Sequence, residues 1–377
     1  MTLTAPPRPG RHLDPRILWT AALVCALLVA IVVIFQFRPS SDDNSDPAVP
    51  VAALPSPSAA ATATAADTPS ATATTAATAD PILGVFRGVS PSEVKKFGTW
   101  LGRDPKYALM FDDSTSWSSL ERADWLKFWT NSPYRLVYSV PMLPTKQSAS
   151  MATGAKGKYD SHFAALGRRL VKTGQADAIL RVGWEFNIKN SHWATKHPQD
   201  FIDYWKHIVT VMRKVPGQKF EFDWNPVNGY TAYDATKYYP GDSYVDYVGI
   251  DVYDLTWTPG GYPYPKGCSA TCRTMRQNTA WDYLMTSDRG LGFWTNFAAQ
   301  HKKPVSLPEW ALWKRPDGRG GEDNPSFITQ MHAYMADPKN NVAYQIYFDF
   351  DGSDGQHGLQ TYLKSGGKAY KKLFGGS

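Results

Sequence analysis

Between residues 81 and 377 the apolar positions fall into two alternating rhythms. Short, nearly continuous β-rich runs cover Pro81 to Phe86, Tyr107 to Phe111, Arg135 to Met142, Ala178 to Phe186, Phe220 to Pro226, Val245 to Tyr253, Pro304 to Trp310 and Val342 to Phe350. Helix-length segments separate them, among them Pro91 to Leu101, Ser119 to Thr130, His162 to Lys172, Pro198 to Lys214 and Tyr283 to Gln300. Several open on Ser or Pro, as helix starts do. Continuous apolar strands alternating with helices predict a parallel sheet buried on both faces, and eight such units favour a closed (β/α)8 TIM barrel over an open sheet. No glycine-rich phosphate fingerprint follows the first strand, which weighs against nucleotide binding.

The first 80 residues read differently. Ile17 to Phe35 is apolar apart from Thr20, and at about 1.5 Å per residue such a run spans roughly 30 Å, the thickness of a bilayer core. Arg8, Arg11 and Arg16 precede it, whereas Asp42, Asp43 and Asp46 follow it. The positive-inside bias then puts residues 1–16 in the cytoplasm, a single-pass anchor at 17–37, and the remainder outside the cell. A cleaved signal peptide is the competing reading; the run exceeds a usual signal core, and the nearest small-residue cleavage candidate, Val51-Ala-Ala53, lies far downstream. Residues 38–80 are mostly Ala, Ser, Thr and Pro, with no aromatic residue. This composition cannot bury enough apolar surface to offset ordering and predicts a disordered linker. Residues 81–377 then form one catalytic-sized barrel domain, expected to be monomeric.

The formal net charge of +6 is spread over isolated or paired lysines and arginines, and no nucleic-acid motif accompanies it. Of three cysteines, Cys25 sits in the predicted span, while Cys268 and Cys272 flank a short turn and are placed to form a disulfide outside the cytoplasm. No further His or Cys cluster supplies metal ligands, and no cofactor is expected.

Two glutamates carry the candidate chemistry. Glu185 closes the fourth apolar run, in Leu180-Arg-Val-Gly-Trp-Glu-Phe-Asn187, and Glu309 closes the seventh, in Lys303-Pro-Val-Ser-Leu-Pro-Glu-Trp310. The carboxyl ends of barrel strands build the active face. Strand alternation puts Arg181, Gly183 and Glu185 on one face and Val305, Leu307 and Glu309 on another, so two inward faces would bring the carboxylates together. A pair of that kind suits cleavage of a sugar acetal, where one carboxyl must be neutral to protonate the leaving oxygen and the other ionised. Burial among tryptophans would raise Glu185, with Arg181 helping to keep Glu309 charged. Trp184, Trp224 and Trp310 at strand ends, and Trp193 in a loop of the same face, suit stacking on sugar rings. Asp251 could bind sugar hydroxyls, or cap its strand.

The ordered set of Arg181, Glu185 and Asn187, the Trp224-Asn-Pro226 word, the Pro240-Gly-Asp-Ser-Tyr-Val-Asp-Tyr-Val-Gly-Ile-Asp-Val-Tyr253 stretch and the Lys303-Pro to Glu309 strand resembles glycoside hydrolase family 26, of clan A, best known for β-mannanases. The resemblance spans nearly the whole outer domain. It implies that Glu185 is the general acid/base and Glu309 the nucleophile of an endo-acting retaining hydrolase of β-linked polysaccharide. Tyr253 matches the position whose phenol hydrogen-bonds the nucleophile, and Asn187 a supporting position. Trp184 stands where the mannanases usually carry His, and Ile188 where glycine is usual, so the polymer could equally be a β-glucan or an exopolysaccharide. The rival reading is a polysaccharide-binding protein that keeps the groove without turnover.

Overall fold

A computed structural model describes residues 81–229 and 231–376. The predicted span at 17–37 and linker at 38–80 lie outside them, and among the described residues no helix is long and apolar enough to cross a membrane. Every strand pairing is parallel. The strands are β1 (Ile82–Phe86), β2 (Tyr107–Phe111), β3 (Arg135–Val140), β4 (Ile179–Val182), β5 (Glu221–Trp224), β6 (Tyr247–Gly249), β7 (Val252–Tyr253), β8 (Val305–Ala311) and β9 (Val342–Phe348). They run in order from β1 to β6, β6 pairs with β8, and β8 returns through β9 to β1, closing the barrel. The sixth predicted strand is thus two short pieces on one β8 partner, interrupted at Ile250 and Asp251, while β7 reaches the carboxyl end of β8 through Val252 opposite Trp310. The architecture is an eight-stranded α/β barrel, as the alternating rhythm predicts.

Helices cover the outside by ordinary amphipathic spacing. Pro198–Arg213 buries Phe201, Tyr204, Trp205, Ile208, Val209 and Met212, a stripe at intervals of three and four. Two predicted helices are broken instead. The 119–130 segment is a short helix, Trp117–Arg122, closed by Ala123 in the left-handed region (φ 43°) and followed by a 3-10 turn. The 283–300 segment is the end of Ala270–Thr286 and all of Leu291–Gln300. Arg289 between them has φ 57°, and a Cβ at Gly290 would lie 2.8 Å from the carbonyl oxygens of Leu284 and Ser287, so the chain can fold back there only without a side chain. At the start of Ala270–Thr286, Cys268 and Cys272 form the expected disulfide.

The barrel interior is layered and unusually polar for a fold normally filled by branched aliphatics. At the bottom, Glu221 pairs with Arg135 and accepts from the Tyr247 phenol at 3.0 Å. One layer up, Asp223 accepts from Ser306 Oγ at 2.6 Å and from the Tyr344 hydroxyl. Above that sits Arg181, with no exposed surface. Buried charge of this density is costly unless each group is paired, so its position under the mouth directs attention there.

Candidate active site

Arg181 is the hub. From the inward face of β4 its Nε donates to Asn225 Oδ1 at 2.8 Å, its Nη1 to Ser139 Oγ at 3.0 Å, and its Nη2 to Asp251 Oδ2 and Glu309 Oε1, both at 2.7 Å. Asn225 in turn donates to Asp251 Oδ1 at 3.2 Å. The second oxygen of Glu309 accepts from the Tyr253 phenol at 2.8 Å. Glu309 therefore presents both oxygens as acceptors, the behaviour of a carboxylate. Burial opposes the charge on Arg181, but Asp251 and Glu309 beside it hold the guanidinium protonated beyond its already high value. The Tyr253 phenol is pushed well above its ordinary range by burial and then by the Glu309 charge, so it stays a donor.

Glu185 reaches the same cluster by a route that strand alternation does not describe. β4 stops at Val182, four residues short of the predicted Phe186, and Gly183 (φ 56°) and Glu185 (φ 52°) both adopt left-handed backbone. A Cβ at Gly183 would sit 2.4 Å from Met142 Sδ, which restricts that position to glycine. For glutamate, left-handed backbone is strained and persists only where the surroundings enforce it. Here they do: Glu185 N donates to Asn225 O at 2.8 Å. Two residues on, the Asn187 side chain clamps Val227, accepting from its N at 3.0 Å and donating to its O at 3.3 Å. Asn187 is thus placed to fix the turn, not to touch a ligand.

The electrostatics join the two glutamates. Glu185 is pushed up to about 8, first by burial and then by the nearby Glu309 charge, with Arg181 pulling the other way. Asp251 is also raised well above the usual carboxylate range, by burial foremost, although Arg181 favours its charge. Arg181 is the one guanidinium shared by this set, and a single positive charge cannot balance three buried carboxylates; protons must make up the difference. A site so arranged can offer one carboxylic acid and one carboxylate at neutral pH.

The aromatic expectations are largely not met. Trp224 and Trp310 have no exposed surface. Trp224 points out of the barrel, packing on Phe186, Trp294, Phe297 and Tyr239, and Trp310 packs on Tyr347, Tyr370 and Phe374 while donating to Gln345 Oε1 at 2.6 Å. On β5 parity is the reason, since Asp223 and Asn225 face inward and Trp224 between them must face the helices. On β8 the expected alternation of Val305, Leu307 and Glu309 does not hold, because Ser306 faces inward onto Asp223 and a register shift between Leu307 and Trp310 turns Glu309 inward and Trp310 out. Trp193 is buried too and donates to the Trp184 carbonyl at 2.7 Å, its ring 4.3 Å from that of Trp184. It braces Trp184 instead of lining a groove. Trp184 keeps 8% of its surface exposed and meets Phe111 edge-on. Asp251 is fully buried and spent on Arg181 and Asn225, so it is not presented to sugar hydroxyls. Conversely, Asn225 and Ser139, which hold Arg181, carried no role in the sequence reading; the inward parity of Asp223 was the available signal for Asn225.

Residues 161–261 match the model of glycosyl hydrolase family 26. Solved structures with a similar fold include a modular endo-β-1,4-mannanase from Cellulomonas fimi, at 15% identity and TM-score 0.51, with 78% of this chain and 70% of that chain covered. A double mutant of the Cellulomonas fimi endo-β-1,4-mannanase matches at 16% identity and TM-score 0.50 over the same shares. At such identities the likeness is one of fold. Among curated proteins none matches this chain.

Proposed function

We propose that this chain, residues 161–261 of which match the model of glycosyl hydrolase family 26, is a membrane-anchored, endo-acting retaining glycoside hydrolase of β-linked polysaccharide, with β-mannan as the first candidate. The observation that carries the reading is the pairing of Glu309, bound by Arg181 and Tyr253, with a buried Glu185 that burial and the Glu309 charge push up to about 8. In the first step the Glu309 carboxylate attacks the anomeric carbon as Glu185 gives its proton to the leaving glycosidic oxygen. The bond between that oxygen and the anomeric carbon breaks, and a glycosyl ester forms on Glu309. Esterification removes the Glu309 charge, so Glu185 loses part of what raises it and becomes able to accept a proton. In the second step it takes one from water, whose oxygen attacks the anomeric carbon and frees Glu309.

The interior layers support the reading by keeping the nucleophile still. Arg181 ties Glu309 to β3, to Asn225 directly after β5 and to the segment between β6 and β7, so its position is set by the barrel mouth and not by one long loop. With the apolar segment at 17–37 as anchor and 38–80 as tether, the barrel would work outside the cell on polymer near its surface. The test is a panel of β-mannans, β-glucans and bacterial exopolysaccharides with products resolved by size and anomeric configuration. Oligomers released with retained configuration are expected. Inverted products would remove the double displacement, and monomer alone would remove endo action.

A further inference from the structure

Against the Tyr253 ring lies a histidine that the chemistry above does not use. His357 is 1% exposed. Its ring lies 5.5 Å from that of Tyr253, 5.1 Å from Trp313 and 5.4 Å from Phe348. Nδ1 is 2.8 Å from the carbonyl oxygen of Leu312, which can only accept, so this nitrogen carries a proton. Nε2 lies 3.4 Å from Asp354 Oδ2. The backbone is tied down as well: His357 N donates to Asp351 Oδ1 at 2.9 Å, and its carbonyl accepts from the Tyr347 phenol at 3.1 Å. One side chain thus links the loop after β8, the loop after β9 and the ring at the end of β7. Tyr253 and Asp354 face its ring, Asp351 and Tyr347 bind its backbone, and Trp313 and Phe348 pack beside it.

We infer that His357 is a positioning residue for the hydrolytic reaction, fixing the Tyr253 ring so that its phenol meets Glu309. Tyr253 belongs to a two-residue strand, Val252–Tyr253, that among the described residues pairs only with β8. So short a strand cannot hold an aromatic ring through its own ladder, and the ring takes its tilt from what packs against it. Trp313 could do so alone, but it is itself held by the same loop: its Nε1 donates to Asp354 O at 3.1 Å. Loss of His357 would therefore loosen the packing on both rings at once, leaving Tyr253 to Trp313 and to Phe348 at 6.2 Å, and Trp313 to Arg315 above it. A phenol displaced by about 1 Å gives up most of a hydrogen bond to Glu309.

This role rests on the hydrolase reading, so the test has one arm that needs no turnover. In the full chain, His357→Ala should lower kcat about tenfold with KM within about twofold of wild type, because the lost bond acts on the nucleophile and not on ground-state sugar binding. In a Tyr253→Phe background the same substitution should cost less than about twofold more. His357→Asn, which keeps a donor for Leu312 O, should recover part of the rate and serves as the second variant if the alanine form does not fold. The arm without substrate is the phenol carbon NMR signal of Tyr253, assigned by its loss in Tyr253→Phe; it should shift in both His357 variants. A full additive loss in the Tyr253→Phe background, or an unmoved Tyr253 signal, would overturn the inference. Wild-type inactivity on every polysaccharide, with the Tyr253 signal still responsive, would instead sink the hydrolase reading and leave the packing role standing.

Discussion

Glu309→Gln lowers turnover of the active polysaccharide by at least about three orders of magnitude, corresponding to roughly 4 kcal/mol of lost transition-state stabilisation. The amide is nearly isosteric and still offers one acceptor oxygen, so the fold should survive. What it cannot do is form an ester with the anomeric carbon or present two acceptors to Arg181 Nη2 and the Tyr253 phenol, which are 2.7 and 2.8 Å away. Substrate affinity, measured by calorimetry on the inactive variant, should stay within a few-fold of wild type. Residual hydrolysis above a few per cent would remove Glu309 as nucleophile and favour the groove-without-turnover alternative.

The second large effect is at Glu185, and it separates chemistry from stability. In its proposed role of proton donor, Glu185 must be neutral when the leaving oxygen departs, so activity should fall as pH rises past about 8, the value to which burial and Glu309 push it. Glu185→Gln should cost two to three orders of magnitude, roughly, on natural polysaccharide. On an aryl glycoside whose leaving group needs no proton, it should leave the first step nearly intact. The stability prediction has the opposite sign. The folded-state value lies above the unfolded one, so the native state holds its proton across the window from about 4.5 to about 8 where the unfolded chain has released it. Stability from this group is present below that window and is lost as pH rises through it. Glu185→Gln removes the loss, so the variant should melt higher than wild type at pH 8.5 and much like it at pH 4. A melting curve for the variant that tracks wild type at both values would contradict the burial assigned to this carboxyl.

Much of this was legible in the residues. Eight apolar runs separated by helix-length segments specified the barrel, because a parallel strand buried on both faces has to be apolar throughout. Glu185 and Glu309 stood out because a carboxylate closing such a run is expensive unless chemistry uses it. What the residues concealed has two physical causes. One is the turn after Val182: alternation was carried through Gly183 to Glu185 as though the strand continued, when two left-handed residues redirect the chain. The convergence of Glu185 on Glu309 thus comes from backbone geometry that no apolar pattern records. The other is that tryptophan suits a sugar platform and a helix-covered core equally well. The inward residues Asp223 and Asn225 already sort Trp224 to the outside, whereas Trp310 depends on the register shift in β8 between Leu307 and Trp310, which the apolar pattern does not record. Asp251 illustrates the limit from the other direction, since a strand-end aspartate reads as a ligand for hydroxyls until the arginine that claims it is located.

The left-handed backbone at Glu185 bears on how the position should be probed. Asparagine adopts positive φ far more readily than glutamine does. Glu185→Asn gives up one buried methylene relative to Glu185→Gln but relieves the backbone, so it should melt no lower, although both erase the same titrating carboxyl. A melting temperature for Glu185→Asn at or above that of Glu185→Gln, in spite of the smaller side chain, would show the conformational tension held in the backbone at this one residue.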